Sequence, residues 1–257
     1  MAISGHSRAW RAVILACGLS WFGPALSAGM PDSPDAPVSV ARSAEPFGLF
    51  ASHLAGGGLL AKWQGVQRRL DDEMVQLALC EGDPERCASP AARQFLAIVE
   101  VARARNGRAR LGEINRAINL AIRPVDDLEQ YGQVDVWSSP LATLSRGAGD
   151  CEDYAIAKFI ALQRAGVSSD DLRIVIMRDT LRGEDHAVAA ARLDGQWLTL
   201  DNRRMAMVED IKVRNYRPSF VLDRDGVRHY EEPMPARSDR NLVSEAVSHS
   251  GIEPSPM

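Results

Sequence analysis

Several absences narrow this chain before any motif is read. No face or run concentrates positive charge: 30 Lys and Arg are scattered among 34 Asp and Glu, for a net charge of −4. The electrostatic footprint of a nucleic-acid binder is therefore missing. No internal repeat points to a solenoid or propeller. The longest apolar run, of about 17 residues near the N-terminus, is broken by Gly23 and Pro24 and is marginal for a membrane span. What remains is ordinary globular composition, 46% hydrophobic and 25% charged, in a chain long enough for one substantial core or two small ones.

Residues 1–28 read as an export signal. Arg8 and Arg11 precede the apolar run, and Pro24-Ala25-Leu26-Ser27-Ala28 offers small residues for cleavage. Cys17, after Leu15-Ala16, leaves a lipoprotein variant open, although the apolar run before it is very short. Cleavage would remove two arginines and no acid, so anionic surfaces are a poor principal partner for the remainder. The expected location is the periplasm, an oxidising compartment. There Cys80 and Cys87, separated by the turn-rich Glu81-Gly82-Asp83-Pro84, read as a local disulfide. Cys151 is then the odd thiol.

Residues 29–56 read as a flexible leader, residues 57–230 as one domain, and residues 231–257 as a mobile tail. Helical periodicity covers roughly Leu59–Cys80, Pro90–Arg105 and Leu111–Ile122, with Pro124 as a stop. Tyr131–Leu144 is turn-like. A further helix is expected over Cys151–Ala165, closed by Gly166. From Leu172 the period changes: Leu172–Met177, His186–Leu193, Gln196–Asn202, Phe220–Leu222 and Val227–Tyr230 read as strands. Helices followed by an antiparallel sheet make an α+β domain.

Cys151 stands in the first turn of its expected helix, where the dipole and free N–H groups favour a thiolate. Asp194-Gly195 is a strong hairpin signal. With Leu193 opposite Gln196, Asp201 falls opposite Val188, and His186 shares the face of Val188. His186 and Asp201 thus become diagonal cross-strand neighbours, about 7–8 Å apart at the backbone. A nucleophilic Cys151, a proton-shuttling His186 and an orienting Asp201 would make a thiol acyl-transfer site, with the Cys151 N–H as an oxyanion donor. His229, on a late hairpin, is the rival histidine; His53 and His249 sit in loop or tail composition.

Asp150, Glu152 and Asp153 crowd the same thiol and should raise its pKa. Asp150 can act as a helix N-cap and Asp153 as a partial capping box, which leaves Glu152 unexplained. A hard cation, best calcium, would neutralise all three through oxygen ligands. The chain has no EF-hand loop, and no Cys/His pair has the spacing of a zinc site.

Trp137, Pro140, the block Gly149-Asp150-Cys151-Glu152-Asp153-Tyr154-Ala155-Ile156-Ala157-Lys158, His186-Ala187-Val188 and Leu200-Asp201-Asn202 together resemble the bacterial transglutaminase-like cysteine proteinases of the LapG type, over roughly residues 57–230. The resemblance implies a papain/transglutaminase-like fold and a triad of Cys151, His186 and Asp201. It also implies calcium held by Asp150 and Glu152, with Asp153 beside them. Its implied substrate is the N-terminal region of a large surface adhesin, whose cleavage releases cells from biofilm. The implied regulator is an inner-membrane cyclic di-GMP receptor of the LapD type. Asp185 before His186 and Arg203-Arg204 after Asn202 depart from the expected pattern and bear on substrate choice and receptor docking. Transglutamination or amidation on the same triad, and a decayed binding module, are the alternatives.

Overall fold

The structure, a computed structural model, describes residues 43–231. Strand β1 (Ala51–His53) precedes three long helices, α1 (Gly58–Gly82), α2 (Pro90–Arg103) and α3 (Gly107–Ala121). A short connecting region follows, with β2 (Arg123–Pro124), α4 (Asp127–Tyr131), α5 (Pro140–Arg146) and β3 (Ala148–Gly149). Helix α6 (Cys151–Arg164) leads into β4 (Leu172–Asp179), β5 (Glu184–Leu193), β6 (Gln196–Leu200), β7 (Val208–Glu209), β8 (Tyr216–Asp223) and β9 (Gly226–Tyr230). The architecture is α+β. Seven strands form one antiparallel sheet in the order β1-β9-β8-β4-β5-β6-β7, and β2 pairs with β3 in parallel beside it.

Local chemistry explains most boundaries. Ser89 caps α2, its Oγ accepting from the Ala92 N–H at 3.2 Å, and Pro90 occupies the first turn. Helices α4 and α5 both end on glycines in the left-handed region, Gly132 and Gly147. Between β5 and β6, Asp194 and Gly195 both have positive φ, as the tight hairpin requires. The observed register pairs Leu193 with Gln196 and Ala189 with Leu200, as the turn chemistry dictates.

The helices cover one face of the sheet. Ala187, Ala189 and Ala191 of β5 join Leu198, Leu200 and Leu222 against Phe95, Ile114, Ile118, Ala157 and Phe159. Small alanines let α6 lie close to β5. The opposite face carries Val175, Met177, Val188, Ala190, Trp197 and Tyr230, packed against Phe47, Leu49 and Ala51.

That second layer is a correction to the leader. Residues 43–56 are part of the domain, not a flexible lead-in. Glu45 accepts from Arg173 and Arg228, Trp197 donates to the Ala44 carbonyl at 2.9 Å, and β1 pairs with β9. Their Ser/Pro/Gly-rich composition concealed this, because the segment is held by ion pairs and a short edge strand and has no periodic apolar pattern. The turn-like reading of Tyr131–Leu144 also missed α5 and the final residue of α4. Cys80 and Cys87 are disulfide-bonded, and among the described residues Cys151 is the free thiol. Trp63, Trp137 and Trp197 are all core residues. The signal segment 1–28, the leader before residue 43 and the tail beyond Glu231 lie outside the described residues. Among the described helices, none is long and apolar enough to cross a membrane.

Candidate active site

The β2–β3 pair sets the entry to α6. Val125 N–H donates to the Gly149 carbonyl at 3.1 Å, and the chain then turns directly into the helix at Cys151. Gly149 is required by space: an added Cβ would stand 2.7 Å from Asp153 Oδ2 and 2.8 Å from its Cβ. Cys151 is half-buried at the helix N-terminus. The backbone N–H of Ala187 acts on its thiol, which places the sulfur beside the residue that follows His186.

His186 and Asp201 meet as the register predicts. His186 Nε2 lies 2.9 Å from Asp201 Oδ1, and both side chains are buried. The Arg203 N–H donates to the same oxygen at 2.9 Å. Burial opposes ionisation of Asp201, but its bond to His186, the imidazole charge, the Arg203 N–H and Lys158 outweigh it and hold the carboxyl below its usual range. The other ring nitrogen, His186 Nδ1, is buried without a hydrogen-bond partner. The Tyr216 ring, from β8, lies 5.8 Å from the imidazole. His229 is elsewhere, edge-on to Phe220, and His53 is exposed on β1.

The loop that carries Asp201 is fastened by two residues that sequence reasoning passed over. Asn119 Nδ2 donates to the Asp201 and Arg204 carbonyls at 3.1 Å each, and Asn115 to those of Arg204 and Met205 at 3.2 and 3.0 Å. Two asparagines four apart on the buried side of α3 were the available signal. A fully buried Asn115 needs partners.

The Cys151 thiol is engaged by Glu152 and not by His186. Cys151 Sγ donates to Glu152 Oε2 at 2.8 Å and makes no hydrogen bond to either ring nitrogen of His186. Burial, then the charges of Glu152 and Asp150, push the thiol well above its ordinary pKa, against which the Ala187 N–H is a small counterweight. The helix-terminus argument for a thiolate is therefore overridden here, because burial and nearby whole charges outweigh a partial one.

Asp150 and Asp153 come together as expected, but their third partner is Asp127, the first residue of α4. One carboxylate oxygen from each lies within 4.8 Å of the other two. Asp127 Oδ1, Asp150 Oδ1 and Asp153 Oδ2 are each buried with no hydrogen-bond partner. Asp150 stands at the N-cap position yet caps nothing with its side chain, and Asp153 accepts from the Ser138 N–H at 2.7 Å. The capping explanation of these acids thus fails. Glu152 is outside the three-oxygen cluster, its carboxylate turned to the thiol.

The cluster is electrostatically unsatisfied. Burial, then Glu152, Asp153 and Asp127, push Asp150 up to about 9. Burial, with Asp127 and Glu152, pushes Asp153 up to about 7 against the Ser138 N–H. Asp127 is raised as well, mainly by burial. Three acids that bring carboxylate oxygens within 4.8 Å of one another, each with a buried unpartnered oxygen, are a donor set for a hard cation, and calcium suits it.

The family model of the bacterial transglutaminase-like cysteine proteinases matches residues 73–222. Among solved structures, the chain is similar to Legionella pneumophila LapG at 21% identity, covering 61% of this chain and 86% of that one, with a TM-score of 0.51. EGTA-treated LapG from the same organism gives 21% identity, 61% and 84% coverage and a TM-score of 0.51. Its calcium-bound form gives 22% identity, 56% and 82% coverage and a TM-score of 0.49. No curated protein matches the sequence. The fold is thus α+β of the papain/transglutaminase-like kind.

Proposed function

Since the chain belongs to the bacterial transglutaminase-like cysteine proteinases, we propose that it is a calcium-dependent endopeptidase that works through Cys151, His186 and Asp201. The observation that carries this reading is the His186–Asp201 pair at 2.9 Å, with Nδ1 of the same ring buried and unpartnered; Ala187, the next residue of the strand, turns its N–H to the Cys151 thiol. An imidazole held by one nitrogen and unsatisfied at the other is poised to exchange a proton with a group that turns toward it. The proposed reaction requires the Cys151 thiol to leave Glu152 and engage Nδ1.

In the proposed reaction Cys151 gives its proton to His186 Nδ1, and the thiolate attacks the scissile carbonyl. Asp201 keeps the ring oriented and stabilises the imidazolium. The Cys151 N–H at the helix start offers a donor to the oxyanion. Imidazolium then protonates the leaving amine, and water, deprotonated by His186, releases the acyl group from sulfur. Asp127, Asp150 and Asp153 would hold calcium, which supplies the positive charge that their crowding lacks.

The substrate, location and regulator are part of the same proposal. Residues 1–28 support export to the periplasm. The resemblance of the Cys151 block to the LapG type supports a surface adhesin as substrate, biofilm release as the outcome and an inner-membrane cyclic di-GMP receptor as regulator. Incubation of the purified protein with cell-envelope extract, followed by mass spectrometry of new N-termini, tests the reading. Cleavage should vanish in Cys151→Ala and in EGTA. Cleavage retained by Cys151→Ala refutes it, and isopeptide mass shifts in place of new termini would mean acyl transfer.

A further inference from the structure

Lys158 is a fully buried amine, at 0% exposure, that the reaction above does not use. It lies on α6 two turns beyond Cys151, on the side that faces the sheet. Its Nζ donates to the Leu200 carbonyl at 3.0 Å, the last residue of β6, and the next residue is Asp201. Asp201 is the charge that acts on the amine, and the Tyr154 ring lies 5.8 Å from it.

A buried ammonium with a single acceptor costs stability. Burial pushes this amine down to about 7, with Asp201 pulling the other way. An unbranched apolar chain of the same length would join Ala157, Ala161 and Leu162 in the core without that cost. Packing alone gives no reason for the charge. Its position does, because one helix then holds both the nucleophile and the end of the strand that delivers the acid.

Resting on the triad reading above, we propose that Lys158 is a positioning residue. Its amine ties the end of β6 to α6 and places positive charge behind Asp201, so that the carboxylate stays ionised and aimed at His186 Nε2. Cys151, on the same helix, thereby keeps its relation to the pair.

The test compares wild type, Lys158→Met and Lys158→Gln by thermal unfolding, by the low-field proton resonance of His186 Nε2–H, and by iodoacetamide labelling of Cys151 followed by peptide mass spectrometry. Lys158→Met should melt at or above the wild-type temperature, lose or shift the His186 resonance, and label about tenfold more slowly. Lys158→Gln, which can still donate to Leu200 without charge, should fall between the two. It also decides the matter should Lys158→Met not fold. A His186 resonance and labelling rate unchanged in the folded variants would overturn the proposal, as would lower melting temperatures with unchanged rates. In millimolar calcium, wild-type Cys151 labelling no faster than an ordinary thiol would count against the nucleophile itself, and the His186 resonance would still report on Lys158.

Discussion

Replacing Asp150 with asparagine removes one ionisable carboxyl from the acidic cluster while keeping the size of the side chain and a good N-cap residue. Without a cation, the folded protein holds the Asp150 carboxyl up to about 9, whereas an unfolded chain releases that proton near the ordinary aspartate value of about 3.9. The folded state binds the proton more tightly, so stability is fully present below about pH 4 and falls as pH rises toward 9. At pH 7 the gap of about 3 units corresponds to a ceiling of about 4 kcal/mol. Partial exposure and proton sharing with Asp127 and Asp153 bring the expected loss to roughly 2 kcal/mol. The amide that replaces the carboxyl cannot ionise. In EGTA at pH 7 the variant should therefore be more stable than wild type, by roughly 4–8 °C in melting temperature.

Calcium should reverse the order. Wild type gains stability in proportion to the logarithm of calcium over its Kd, and a variant lacking one of the three carboxylates gains much less. Melting curves followed by circular dichroism at pH 5, 7 and 9, in EGTA and in millimolar calcium, give the full comparison. The Asp150→Asn advantage in EGTA should shrink toward pH 5. If the variant is less stable than wild type in EGTA at pH 7, the acids stabilise the fold as caps or bond acceptors and the repulsion argument is wrong. Equal calcium stabilisation of both proteins would remove Asp150 from the ligand set.

Gly149→Ala should lower stability by about 1–3 kcal/mol and weaken calcium binding, because the new Cβ meets the base of Asp153 at 2.8 Å and the start of α6 must shift; wild-type melting and calorimetry in the variant would refute the packing argument. Glu45→Ala should cost about 2–4 kcal/mol, since it leaves Arg173 and Arg228 with Asp223 as their remaining acidic partner on the half-buried outer sheet face. Burial raises the Glu45 carboxyl, but the two arginines together lower it below its usual value. Its contribution is therefore present above about pH 4.5 and is lost progressively as pH falls; denaturant unfolding should show a smaller deficit in the variant at pH 3.5 than at pH 7.

Much of the site was legible because hairpin register is local information. Asp194-Gly195 sets which residues face each other, and the His186–Asp201 bond follows within a few strand positions. The long helices were equally readable from periodicity. Residues 43–56 were not, since their attachment depends on Arg173, Arg228 and Trp197, far away in the chain. Asp127 was missed for a similar reason. It stands well before Cys151 in an acid-rich turn, and nothing nearby distinguishes it from Asp126 or Glu129.

The amino-acid order by itself determined an α+β chain with a thiol at a helix start, a histidine on a strand with an aspartate just past the end of its hairpin partner, and a local disulfide. Each of these depends on turn chemistry or periodicity over a few residues. Only the tertiary structure decided which acids share a centre, because the parallel β2–β3 pairing carries Asp127 to the head of α6. It also decided that Glu152 holds the thiol and that Lys158 stands behind Asp201. Burial turns those placements into chemistry: in water such charges would be screened, whereas inside the fold they set which groups keep their protons.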